Sequence, residues 1–217
     1  MPKTINIKGV IVAHEDKWIY NLFSIENVSE KDVEAQLLEA NGDDVLVRIN
    51  SPGGDVFTGS EIYDLLASYS GNLQIRIVGM AASAASVVAC AGPSEIAPTG
   101  MLMIHNVQSR AEGDYRDMEH SAETLREANR AIMSAYRSKT GLSEEELLSL
   151  MDDTTYMSAD TAVEKGFVDK IADYGKSPKN GVQLAAAMTG LLPVETIHKL
   201  RAERAKAQAQ LDLIKLM

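Results

Sequence analysis

The sequence predicts an α/β protein in which βαβ units build a parallel sheet. Three observations carry this expectation. Short apolar runs such as Val45–Ile49 and Leu73–Val78 are bounded by turn residues, as buried parallel strands are. Between them lie segments whose apolar residues recur at helical spacing. The two kinds alternate along the chain instead of following one another as hairpins.

In order, Ile5–Val12 reads as a first strand and Trp18–Phe23 as a second short extended piece. Ser29 caps a helix carrying Val33, Leu37 and Ala40, and Gly42 stops it. The run Val45–Ile49 is the next strand and SPGG at 51–54 its turn. A helix with Ile62, Leu65, Leu66 and Tyr69 follows, closed by Gly71, and Leu73–Val78 completes a strand–turn–helix–strand unit. Small residues from Ala84 to Ala91 form a short helix, and an extended run ends in MLMIHN at 101–106. Tyr115–Lys139 is one long helix with Met118, Ala122, Leu125, Ile132 and Tyr136 on a stripe, closed by Gly141. Ser143 and Glu146 form a capping box for the next helix. Ser158 caps a last short helix ending at Gly166, and Phe167–Ala172 is a final strand. The character changes at KSPKNG, so a domain over 1–175 is expected, then a linker and helical extension over 176–217.

Bulk properties narrow the function. With 217 residues, 45% of them hydrophobic, the chain can bury a core, and no run approaches the ~18 apolar residues of a spanning helix. The N-terminus lacks the pattern of a signal peptide. A net charge of −10 argues against a nucleic-acid partner. The single cysteine, Cys90, excludes an intramolecular disulfide and a cysteine-cluster metal site, and fits a cytoplasmic protein.

Three places could carry chemistry. Ser83 stands at a strand-to-helix junction, where a hydroxyl can be held out from a sheet and the Ala84 amide can face an incoming carbonyl; a helix cap reads equally from the same position. Ser86, one turn on, suits a structural role. Of the four histidines, His14, His120 and His198 read as solvated side chains, whereas His105 closes the apolar run Met101–Ile104. Strand ends are where α/β sheets gather active-site groups, although a structural histidine fits there too. The glycines of SPGG leave a backbone amide open to a ligand, or only serve a turn. A strand-end serine, a strand-end histidine and an exposed glycine amide are together the parts of an acyl-transfer site.

Four segments make the pattern specific: INSPGGDVFTGSEIYDLL (49–66), GMAASAAS (79–86), MLMIHN (101–106) and YMSADTAVEKGFVD (156–169). They resemble the proteolytic subunit of the Clp protease, a serine peptidase, in order and at similar spacing over roughly residues 5–172. The resemblance implies the crotonase-like α/β spiral of βαβ units, with a long protruding helix, here followed by a C-terminal helical tail. It implies Ser83 as nucleophile, His105 as general base, and the Gly54 and Ala84 amides as the oxyanion hole. Gly53, Asp55 and Val56 on one side, and Val107 and Gln108 on the other, would be edges that hold a substrate peptide as an added strand. No metal or cofactor is expected. The partners implied are a polypeptide substrate and further copies of the chain in a ring.

The acid departs from the family pattern. The segment reads MDDTTYMSA and the strictly aligned position is Thr154, with Asp153 one residue and Asp152 two residues away. Asp153, through a local shift of register, is the expected third member. A loop between Ser83 and His105 shorter than in the bacterial housekeeping enzyme, no propeptide before Ile5 and a tail without counterpart resemble the phage-encoded branch, which cuts capsid or scaffold proteins. An AAA+ unfoldase partner stays open. Two other readings also stand at this point: an acyl-CoA hydratase or isomerase of the same fold, and a non-catalytic homologue whose acid was lost at Thr154. Ser–Lys chemistry is disfavoured, since no lysine lies between residues 32 and 138.

Overall fold

The computed structural model describes residues 2–174. Its strands are β1 (Lys3–Ile11), β2 (Asn27–Val28), β3 (Val45–Gly54), β4 (Leu73–Ala82), β5 (Ser94–Ile96), β6 (Met101–Ile104), β7 (Thr155–Ser158) and β8 (Lys170–Ile171). The helices are α1 (Lys17–Leu22), α2 (Glu30–Ala40), α3 (Val56–Ala67), α4 (Ala84–Ala89), α5 (Tyr115–Thr140), α6 (Glu144–Asp152) and α7 (Ala159–Glu164). The sheet runs β2-β1-β3-β4-β5-β8, every pair parallel, so the α/β class expected from the alternation of strands and helices holds.

β4 is the branch point. Its first half, Ile75–Ile77, pairs with β5, and its second half, Met80–Ala82, pairs with β6. The sheet therefore divides just before Ser83, and β6 in turn carries β7 antiparallel to it. This fork sets the end of β6 beside the end of β4.

One sheet face is the core. Ile5, Ile7, Val47, Ile49, Ile75, Ile77 and Ile96 are fully buried, each such side chain contributing about 1.5–3 kcal/mol of transfer free energy. The alternate positions Asn6, Leu46, Arg48 and Arg76 are not buried, so these strands are covered on one face and partly open on the other. Arg76 pairs with the buried Glu95 of β5, which Lys170 also approaches at 3.7 Å.

Local expectations met several corrections. Trp18–Phe23 is not extended: a 3-10 turn at His14–Asp16 leads into α1, and the residues that pair with the end of β1 are instead Asn27 and Val28 of β2. SPGG is not a turn but the last four residues of β3. The final strand is shorter than Phe167–Ala172, with Phe167 and Val168 buried just before β8. The long helix is present, but only its C-terminal part, from Ile132, is buried; Met118 on the same stripe is exposed. Among the described residues no helix is long and apolar enough to cross a membrane. The expected boundary near residue 175, the linker and extension over 176–217, and His198 lie outside the described residues.

Candidate active site

β4 ends at Ala82 and α4 begins at Ala84, so Ser83 alone makes the corner. Its backbone sits at φ 55° and ψ −126°, a conformation that L-residues rarely adopt and that costs on the order of 1–3 kcal/mol. The surroundings hold it there. The Ser83 N–H donates to the Met103 carbonyl (2.9 Å), and the Ser83 carbonyl accepts from the Ser86 N–H (2.9 Å) and the Ser86 hydroxyl (2.6 Å). Such a corner throws the side chain clear of the sheet, as a nucleophile requires.

The small residues around it have a packing cause. All six residues of α4 are buried, and a methyl group added at Gly59 of α3 would lie 2.9 Å from the Ala84 Cβ. Helix α4 is pressed between α3 and the sheet, and anything larger than alanine at 84 would push it out.

His105 follows the last residue of β6, and its Nε2 lies 2.8 Å from Ser83 Oγ. The parallel register Ala82↔Met103 produces this contact, since both chains leave the sheet at the same level. Burial lowers the imidazole pKa below the ordinary histidine value. At neutral pH the ring is therefore the uncharged form that can accept the hydroxyl proton.

Gly53 and Gly54 close the other side. Gly54 stands opposite Ile11 of β1, and Gly53 lies against the nucleophile's own backbone: an added Cβ would be 2.5 Å from the Ala82 oxygen and 2.9 Å from the Ala84 nitrogen. Asp55 caps α3 by accepting the Thr58 N–H at 2.7 Å. Ala84 is the first residue of α4, so its amide has no acceptor within the helix.

These groups open on a cavity of about 610 Å³. Its lining includes Gly54, Asp55 and Val56, Val107 and Gln108, the three residues Ser83, Ala84 and His105, and Leu125, Ala128 and Ile132 of α5. Gly53 is not in the lining; it sits behind the nucleophile.

The acid region is arranged differently from the rest. The antiparallel register of β6 and β7 ends at Ile104↔Thr155, so His105 and Thr154 are the residues that leave the ladder on either side of that last pair. Thr154 has φ 51°, an outlier for a β-branched residue. Asp153 caps the C-terminus of α6 and is exposed. Asp152 accepts a hydrogen bond from the Asn106 side chain at 2.7 Å. Among the described residues, none of the three hydrogen-bonds the His105 ring.

Sequence reasoning missed a polar bracket and a buried pair. Asn129 of α5 accepts the Val107 N–H (2.7 Å) and donates to Asn106 (2.9 Å), tying the segment after His105 to the long helix. Ser86 shares a hydrogen bond of 2.8 Å with Tyr136. Both join residues more than twenty positions apart, and nothing in the local pattern announces them. His14 lies 3.4 Å from the Ser29 hydroxyl, away from the cavity. Cys90 is buried, which pushes its thiol up to about 12 and leaves it a poor nucleophile. Among the described residues no group of three or more His, Cys, Asp or Glu is placed to hold a metal ion.

Comparison with known proteins points to one family. A family model described as Clp protease matches residues 11–175. An ATP-dependent Clp protease proteolytic subunit of Bacteroides fragilis is 30% identical over 163 residues, 72% of this chain and 79% of that protein. Its counterpart in Deinococcus radiodurans is 28% identical over 174 residues, 77% and 85% of the two chains. An ATP-dependent Clp protease proteolytic subunit 1 of Corynebacterium glutamicum is 30% identical over 170 residues, 75% and 82% of the two.

Proposed function

The chain belongs to the Clp protease family, and from that premise we propose that it is a serine endopeptidase working through an acyl-enzyme. The observation that carries this reading is the 2.8 Å contact between His105 Nε2 and Ser83 Oγ. His105 takes the Ser83 proton as Oγ attacks a peptide carbonyl, and the Ala84 and Gly54 amides receive the oxyanion. His105 then protonates the leaving amine, and water repeats the sequence to release the acyl group. The substrate is a polypeptide, laid as an added strand between Gly54–Val56 and Val107–Gln108, with an apolar side chain directed toward Leu125 and Ile132. For the physiological substrate we favour a phage capsid or scaffold protein. Hydrolysis of an unfolded chain without nucleotide supports that choice; a requirement for an AAA+ unfoldase argues for the other partner class. The single-cysteine composition supports a cytoplasmic site of action.

The third catalytic group in this proposal is Asp153. The left-handed Thr154 costs on the order of 1–3 kcal/mol, which marks the 152–154 turn as the place where the chain can rearrange. A shift confined to that turn would bring Asp153 opposite His105 in exchange for the exposed Asp152–Asn106 hydrogen bond. It cannot extend into β7, because a slip there would turn the fully buried Met157 outward. The pH profile tests this. A carboxylate beside the ring favours imidazolium and raises its pKa, whereas burial alone lowers it. Asp153→Asn should thus reduce kcat by ~10²–10⁴-fold and move the acid limb of kcat/KM to lower pH. Unchanged kcat and an unmoved limb would leave Ser83 and His105 as an unassisted pair.

Tyr115 and Met118, both exposed at the N-terminal end of α5, support a ring-like homo-oligomer. Light scattering should report a mass of several subunits; a monomer at assay concentration removes the ring from the proposal.

A further inference from the structure

The Ser83–Ala84 peptide unit is gripped through its carbonyl. Ser86 Oγ lies 2.6 Å from the Ser83 carbonyl oxygen and 2.8 Å from the Tyr136 hydroxyl. A carbonyl only accepts and a serine hydroxyl has one proton, so Ser86 donates to Ser83 and Tyr136 must donate to Ser86. Both Ser86 and Tyr136 are fully buried, and Tyr136 is fixed further by its edge-on contact with Phe167 at 5.7 Å. Burial raises the Tyr136 phenol far above its ordinary value, so it keeps the donated proton at any working pH.

We propose that Ser86 and Tyr136 are positioning residues for the Ala84 amide. In a planar trans peptide the carbonyl and the N–H point in opposite directions. Holding the Ser83 carbonyl toward Ser86 therefore aims the Ala84 N–H the other way, out of the start of α4, and Ser83 and Ala84 both line the cavity. The Ser86 N–H also reaches that carbonyl, at 2.9 Å, as an ordinary helix start provides. The buried hydroxyl pair is an addition, and it acts on a peptide unit whose backbone is strained. A hydrogen bond accepted by a carbonyl also polarises its own peptide and strengthens the N–H as a donor. The inference rests on the reading of Ala84 as an oxyanion donor.

The test is Ser86→Ala/Tyr136→Phe, which removes both hydroxyls and leaves neither buried group unpaired. The rate at which a fluorophosphonate labels Ser83 is measured beside kcat and KM on a fluorogenic peptide, the pH midpoint and the melting temperature. Labelling rate and kcat should fall together by roughly tenfold, with KM and the pH midpoint of His105 unmoved. An unchanged labelling rate overturns the proposal, as does a loss confined to KM or one that shifts the midpoint. If the double variant does not fold, Tyr136→Phe alone decides: an intermediate loss supports the proposal and a wild-type rate overturns it. A wild type that is not labelled at Ser83 at all defeats the serine-peptidase reading itself, and this inference with it.

Discussion

Ser83→Ala should abolish peptide hydrolysis and remove the single adduct that a fluorophosphonate forms on the wild type, read by intact mass. Losing the nucleophile of a comparable constellation costs ~10⁴–10⁶-fold, because the remaining amides can polarise a carbonyl but cannot form the acyl-enzyme. The strain at this residue adds a second expectation. At φ 55° and ψ −126° any Cβ is unfavourable, so alanine keeps the strain and glycine relieves it. Ser83→Gly should be as inactive as Ser83→Ala yet more stable than it by about 1 kcal/mol, a higher melting temperature in a dead enzyme. That pairing is what a corner held for chemistry predicts. An adduct that persists in Ser83→Ala would remove Ser83 from the mechanism, and a glycine variant melting below the alanine variant would remove the strain argument.

The fold was legible where local pattern and tertiary outcome agree. The apolar runs at 45–49 and 73–78, the capping box at Ser143 and the long helix from Tyr115 are decided within a few residues of themselves. Pairing is decided elsewhere. Trp18–Tyr20 is rich in strand formers, yet it lies in α1, and it is β2 that pairs with the end of β1. Pro52 and two glycines are turn residues, yet β3 continues through them because Gly54 pairs with Ile11. β5 and β7 are three and four residues long, and their partners lie far away in sequence.

The site divides along the same line. Ser83, His105 and the glycine pair each sit at a strand end, which a sequence can mark. That His105 and Ser83 meet at 2.8 Å follows from the fork of β4, which it cannot. The family pattern singles out Thr154; that this residue is left-handed and stands one position outside the last β6–β7 pair, Ile104↔Thr155, is a tertiary outcome. Tyr136 was one member of an apolar stripe until its hydroxyl was found on Ser86, fifty positions away.

Gly53→Ala should damage activity and stability together, and the reason separates it from other glycine changes. The new methyl would stand 2.5 Å from the Ala82 oxygen, 2.8 Å from Ser83 Cβ and 2.9 Å from the Ala84 nitrogen. None of these is the free end of a side chain. They belong to the strand end, the nucleophile and the oxyanion amide, and the hydrogen bonds of Ser83 to Met103 and Ser86 keep that backbone from giving way. Overpacking a site that cannot relax costs ~1–3 kcal/mol, and a Cβ at φ 90° adds about 1–2 kcal/mol. For a chain of this size a loss near 3 kcal/mol lowers the melting temperature by roughly 6–12 °C. Displacing Ser83 and the Ala84 amide by even a fraction of an ångström spoils in-line attack and oxyanion contact at once, so kcat should fall by ~10²-fold or more. Gly141→Ala is the control: it also replaces a left-handed glycine, φ 73°, but its Cβ meets nothing within 4 Å. It should lose about 1–2 kcal/mol of stability and no activity. A Gly53→Ala enzyme with the kcat of the wild type would mean that the nucleophile's backbone does not depend on the glycine behind it, and the account of the site as a rigidly supported corner would fail.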